Sequence, residues 1–184
     1  MVTRTRVLIV RHYREVSRSS NSGRLAAMAL PSSQLVDHGA PGTPATQIDA
    51  ADACLLVPGG EVLHPGMAPR TLIVLDATWS QARRMRRKVR GLEQVRTVSL
   101  PPVPTGTPRM RASPGDGKVS TLEAIAYALG VLEGAEVAEP LLQLFHVAVQ
   151  RSLASGRHGL ALRGAAAAPA PDDQDAAADD PAED

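Results

Sequence analysis

The stretch Leu72-Ile73-Val74-Leu75-Asp76-Ala77-Thr78-Trp79-Ser80-Gln81-Ala82-Arg83 decides the fold. Its first four residues are apolar without alternation, too few for a helix, and closed by Asp76. A continuous short apolar run predicts a strand covered on both faces, as in a parallel sheet. After Asp76 the period changes. Trp79, Ala82, Met85, Val89 and Leu92 recur at helical spacing, which predicts a helix over Thr78–Leu92 with that stripe in the core. A strand running directly into a helix is the repeating unit of an α/β fold.

The rest of the chain repeats this alternation. Val7–Val10 and Cys54–Val57 are runs of the same kind, and Val95–Leu100 adds a further strand. Helical patterns cover Gly23–Leu30, stopped by Pro31, and Thr121–Leu132. A last helix is expected to start near Pro140, a good first-turn residue, and to reach about Gly156. The class is therefore α/β with a parallel sheet flanked by helices. No internal repeat is present. Pro101–Lys118, rich in Pro and Gly, reads as a long loop of the kind that is often functional. In open parallel sheets ligands sit beyond the carboxyl ends of the strands. That rule selects His12, Pro58-Gly59-Gly60 and Asp76.

A length of 184 residues suits one domain. Residues 165–184 contain only Ala, Pro, Asp, Gln and Glu, a composition that predicts a disordered acidic tail after a domain at 1–164. Seven of the 19 acids lie in that tail, so residues 1–164 carry 20 bases against 12 acids, a net charge of +8. The near-neutral total conceals a basic domain, which favours polyanionic partners. The single cysteine, Cys54, sits in an apolar run and reads as a buried structural thiol. His12, His38, His64, His146 and His158 show no metal-ligand spacing, so no metal is expected. No stretch approaches the roughly 18 apolar residues of a membrane span, and no apolar leader precedes the first strand. A cytoplasmic location is expected.

Four features carry possible chemistry. Asp76, leaving a buried strand, can cap the following helix, as can Thr78, or present a carboxylate at a site mouth. Ser120-Thr121-Leu122-Glu123 has the spacing of a capping box, and a capped helix start facing a pocket also suits a ligand carboxylate. Pro58-Gly59-Gly60 is an ordinary turn or a place where backbone approaches a ligand closely. Arg83, Arg84, Arg86, Arg87, Lys88 and Arg90 place six bases in eight positions with no acid among them to pair at helical spacing. With Arg109 and Arg111 in the long loop, they suit an RNA backbone. Aromatics are limited to Trp79, Phe145, Tyr13 and Tyr127, so a structured RNA with one base in a pocket fits better than a strand of stacked bases.

Asp76-Ala77-Thr78-Trp79 directly after an apolar strand resembles the signature of the DTW-domain family. Four more elements are similar to that family in order: His12-Tyr13-Arg14-Glu15, Asn21-Ser22-Gly23, Leu56-Val57-Pro58-Gly59 and Ser120-Thr121-Leu122-Glu123-Ala124. Tyr13 stands where the family usually has Pro, and Ser22 where it usually has Thr. Many members also carry a cysteine-rich segment before the first strand; only six residues precede Val7 here, none of them Cys. The resemblance implies a SPOUT-like sheet with a C-terminal trefoil knot. It implies a tRNA-uridine aminocarboxypropyltransferase using S-adenosylmethionine as co-substrate. Asp76, Thr78 and Trp79 would then be catalytic, Asp76 as the base. Leu56, Pro58, Gly59, Asp76, Ser120, Thr121 and Glu123 would bind the co-substrate. Arg83, Arg84, Arg87, Lys88, Arg109 and Arg111 would bind tRNA. The alternatives are methyl transfer in a similar site, a ribosomal RNA acceptor, or a non-catalytic RNA-binding module. Monomer and homodimer both remain open at this stage.

Overall fold

The computed structural model describes residues 2–18, 21–102 and 119–154. Five strands, β1 (Arg6–His12), β2 (Ser33–His38), β3 (Ala53–Val62), β4 (Thr71–Asp76) and β5 (Arg96–Ser99), form one sheet in the order β2-β1-β4-β3-β5. Every pairing is parallel. Among the described residues four α-helices accompany them: α1 (Ser22–Ala29), α2 (Trp79–Lys88), α3 (Thr121–Glu133) and α4 (Ala135–Ala154).

Apolar runs without alternation predict burial on both faces, and the core divides that way. Val7, Ile9, Cys54, Leu72 and Val74 join α1, α3 and α4 in one cluster. Their neighbours Leu8, Val10, Leu55 and Ile73 point the other way, against Met85, Val89 and Leu92. Side chains alternate along a strand, so only a strand with two covered faces needs apolar residues at every position. α3 runs from the carboxyl to the amino ends of the strands, where Glu133 accepts from the backbone N–H groups of Arg4 and Thr5. Its first turn therefore sits beside the end of β4.

The fold differs from the sequence expectation at four places. β2 was not expected, because Ser33-Gln34-Leu35-Val36-Asp37-His38 is half polar; it is an edge strand with much of its surface in water. β3 continues through Pro58-Gly59-Gly60 instead of ending in a turn. The pairing with β5 skips from Leu56 to Glu61, both opposite Val98, so Val57–Gly60 bulge out of the ladder. α2 stops at Lys88, where Val89 closes it and Gly91 takes a left-handed φ of 93°. Trp79 is correspondingly not in the core: it is 39% exposed, while Met85, Val89 and Leu92 are buried. α4 begins at Ala135, with Pro140 inside it rather than in its first turn. Val137 is buried in the main cluster and Ala138 is buried against Gly130 of α3, so packing draws five extra residues into the helix ahead of the proline.

Gly60 marks the tightest point of the bulge. A Cβ there would lie 2.7 Å from the backbone of Thr97 and Val98. Backbone cannot swing aside as a side chain can, so Gly60→Ala is expected to destabilise the fold by about 1–3 kcal/mol. Denaturant titration checks this; Gly59→Ala controls for the separate strain at φ 78°, where nothing lies within 4 Å.

The knot implied for the C-terminal part depends on how the chain passes from β5 to α3, and residues 103–118 of that path lie outside the described residues. The acidic tail at 165–184, with the boundary at 164, lies outside them as well. Among the described residues no helix is long and apolar enough to cross a membrane.

Candidate active site

Asp76 is the last residue of β4 and is 5% exposed. It does not cap α2. That work falls to Thr78, whose hydroxyl accepts from Gln81 N while Gln81 Oε1 accepts from Thr78 N. The reason is strand parity: Asp76 follows Leu72 and Val74 onto the face of α1 and α3, while α2 packs on the opposite face. The two readings open for this residue thus separate, with Thr78 as cap and Asp76 as a carboxylate turned away from the helix it precedes.

Two other helix starts meet that carboxylate. Asn21 Nδ2 donates to Asp76 Oδ2 at 2.8 Å, and Thr121 Oγ1 donates to Oδ1 at 2.7 Å. Asn21 caps α1, its Oδ1 accepting from Arg24 N at 2.6 Å. Thr121 opens α3 behind the cap Ser120, whose hydroxyl accepts from Glu123 N while Glu123 Oε2 accepts from Ser120 N. Glu123 is 1% exposed, so its carboxylate is committed to the capping box. Gly23 lets α1 lie flush on the carboxylate, since a Cβ there would sit 2.5 Å from Asp76 Oδ2.

Arg11 is the neighbour of Asp76 across the β1–β4 pairing and faces the same side. It is buried, and Nε and Nη2 grip the two oxygens of Asp37 at 2.7 and 3.1 Å. That hydrogen-bonded pair holds the guanidinium above its ordinary value; the Asp76 charge adds to the effect. The sequence did not single out Arg11, and it gave Asn21 and Gly23 no role beyond their place in a family-like segment. Arg11 closes an apolar run, where a buried charge signals a partner, but the partner cannot be read from one strand.

The remaining expected residues divide into three groups. Ser120, Thr121 and Glu123 stand at Asp76. Leu56 lies half-buried in β3, and Pro58 and Gly59 are exposed on the bulge that follows it. Trp79 is exposed in the first turn of α2. Arg83, Arg84, Arg87 and Lys88 are exposed along α2 and make no ion pair with a described residue. Their field reaches the strand ends, because Arg84 acts on His12 and Lys88 on His38. Arg109 and Arg111 lie outside the described residues. A cavity of about 270 Å³ lies elsewhere, lined by Leu8, Val10, Val36 and Ile48 on the α2 side of the sheet. It does not mark this site. Among the described residues no group of three or more His, Cys, Asp or Glu is placed to hold a metal ion.

His12 and His38 end β1 and β2 side by side. Burial pushes both imidazoles below their ordinary value; Arg14 adds to this at His12 and Lys88 at His38. The folded state therefore resists protons that the unfolded chain accepts near pH 6.5. Their contribution to stability is complete above that pH and is lost as pH falls below it. The melting temperature is expected to drop between pH 7 and 5. His12→Asn with His38→Asn should flatten that slope, since Asn keeps an acceptor for Arg14 N and a partner for Thr46.

The fold and site define a parallel α/β domain with a buried carboxylate held at the carboxyl ends of its strands by two helix starts. The model of the DTW domain matches residues 1–153, and the chain belongs to that family. It is 35% identical over 101 residues to tRNA-uridine aminocarboxypropyltransferase 2 of Drosophila melanogaster, covering 54% of this chain and 40% of that protein. The chain thus spans less than half the length of this curated relative. Its backbone is similar to that of the SAM-dependent rRNA:acp-transferase Tsr3 from Vulcanisaeta distributa, with a TM-score of 0.54 at 21% identity. That match covers 85% of this chain and 81% of the other, and it supports the α/β fold expected from the sequence.

Proposed function

We propose that this domain transfers the 3-amino-3-carboxypropyl group of S-adenosylmethionine to N3 of a uridine in tRNA, with release of methylthioadenosine. The observation that carries the reading is the Asp76 carboxylate inside the family's own signature, buried and bonded at both oxygens. The activity named for the fly relative points to the same chemistry.

The side chains present suit S-adenosylmethionine. The start of α3, with its dipole, lies beside Asp76 and suits the carboxylate of the methionine part. The Val57–Gly60 bulge frees a backbone stretch with open space around Gly59, which suits the adenosine. When bound, the sulfonium activates its attached carbon for displacement. The residues of the chain supply the rest. Asp76 takes or orients the N3 proton of uridine, a weakly acidic imide that attacks well only once deprotonated. Thr121 and Asn21 keep the carboxylate from turning. The bases of α2 hold RNA by its phosphates beside the strand ends, fixing register without reading sequence. Much of the rate then comes from alignment.

Incubating the protein with tRNA and S-adenosylmethionine tests this. Methylthioadenosine and a uridine heavier by the aminocarboxypropyl group are expected. S-adenosylhomocysteine would replace the reading with methyl transfer, and modification of ribosomal RNA alone would replace the acceptor. Failure to bind S-adenosylmethionine would leave only an RNA-binding module.

A further inference from the structure

We propose that Asn21 is a positioning residue for the reaction: one carboxamide caps α1 and aims the Asp76 carboxylate, so helix capping and the set of the site are a single linkage.

The backbone N and both polar side-chain atoms of Asn21 are engaged. Its backbone N donates to Arg18 O at 3.2 Å, and Oδ1 accepts from Arg24 N at 2.6 Å. Nδ2 donates to Glu15 O at 3.1 Å and to Asp76 Oδ2 at 2.8 Å. The orientation of the amide is forced, because an oxygen must face the Arg24 N–H and a donor must face the carboxylate. Capping alone does not require this residue type. Ser and Asp cap helices about as well as Asn, yet neither can cap α1 and also donate an N–H to a carboxylate. Asn is the short side chain with an acceptor at one end and two donors at the other.

The steric setting points the same way. Gly23 brings the first turn of α1 against Asp76, and Thr121 holds the other oxygen from α3. Two bonds from two helices, one to each oxygen, fix the plane of the carboxylate as well as its place. Without Asn21 the carboxylate loses the bond that holds Oδ2 and is fixed less firmly in its plane. Displacement of about 1 Å at a reacting group can cost roughly 100-fold in rate. Among the described residues, charged groups on the elements that meet Asp76 include Arg11 from β1, Glu15 from the turn after it, and Glu123 from α3.

This inference rests on the proposed transferase reading, and its test separates the two. Asn21→Ser keeps the cap and removes the amide N–H groups that reach Asp76 and Glu15; Asn21→Asp keeps shape and cap and sets a second carboxylate against Asp76. In the full chain, Asn21→Ser is expected to lower kcat by about 10- to 100-fold while S-adenosylmethionine affinity changes less than about threefold. In Asn21→Asp, carbon NMR of the labelled carboxyls should show the titration of the pair moved up by about one pH unit or more, with the acid limb of the pH–rate profile following. Wild-type kcat in the Ser variant, together with an unmoved titration in the Asp variant, would overturn the proposal. The NMR titration needs no turnover. A wild-type protein that makes no methylthioadenosine would therefore sink the transferase reading while the linkage was still decided by the titration.

Discussion

Asp76→Asn is expected to slow single turnover of bound RNA by about 10²- to 10⁴-fold, the range for loss of a positioned base. The substitution keeps volume and removes the charge. It also introduces an amide whose N–H₂ must face Asn21 Nδ2 or Thr121 Oγ1, each already donating to this residue. One donor is left without an acceptor in a buried place, which costs about 1–3 kcal/mol. Stability should fall by that amount while the protein remains folded. Asp76→Ala strips both donors of their acceptor and should destabilise further. Measuring turnover with saturating RNA and S-adenosylmethionine, beside thermal unfolding, separates the two losses. Turnover at the wild-type rate in the folded Asn variant would remove Asp76 from the chemistry and leave it a tie between β4, α1 and α3.

The second large effect concerns α2. Arg83→Glu with Arg87→Glu reverses two exposed charges one helical turn apart on the helix. Neither makes an ion pair with a described residue, so the fold should lose little, within about 0.5 kcal/mol each. RNA affinity should fall on the order of 100-fold near 0.1 M salt, since like charges set against phosphate cost several kcal/mol. The slope of log affinity against log salt should shrink by about 1.5–2, because each phosphate contact contributes nearly one unit. The loss should be similar for different RNA sequences, as these contacts carry none of the readout. Filter binding across a salt series decides it. Unchanged affinity and slope would remove α2 from the RNA footprint.

Much of this was legible in the chain. The strands around Leu8, Leu55 and Ile73 and the capping box at Ser120 are local patterns, set by residues within a few positions of one another. The six bases of α2 are equally local, and a charge on a short exposed helix stays exposed. The misreadings arose where context outweighed pattern. Trp79 shares the helical spacing of Met85 and Val89, but it opens the helix and stays 39% exposed while they are buried. β2 hid because an edge strand tolerates polar residues. The bulge in β3 follows from Gly60 meeting the backbone of β5, a neighbour that the segment itself does not reveal.

Sequence by itself therefore determined the α/β class, the strand-to-helix element at Asp76 and the basic face, because each depends on near neighbours. Only the tertiary structure decided where the Asp76 carboxylate points and what holds it. Its partners Asn21 and Thr121 lie 55 and 45 residues away, and Arg11 reaches it through a parallel pairing. Parallel strands put their carboxyl ends together whatever their distance along the chain, so two helix caps that are ordinary in isolation become the clamp on one carboxylate.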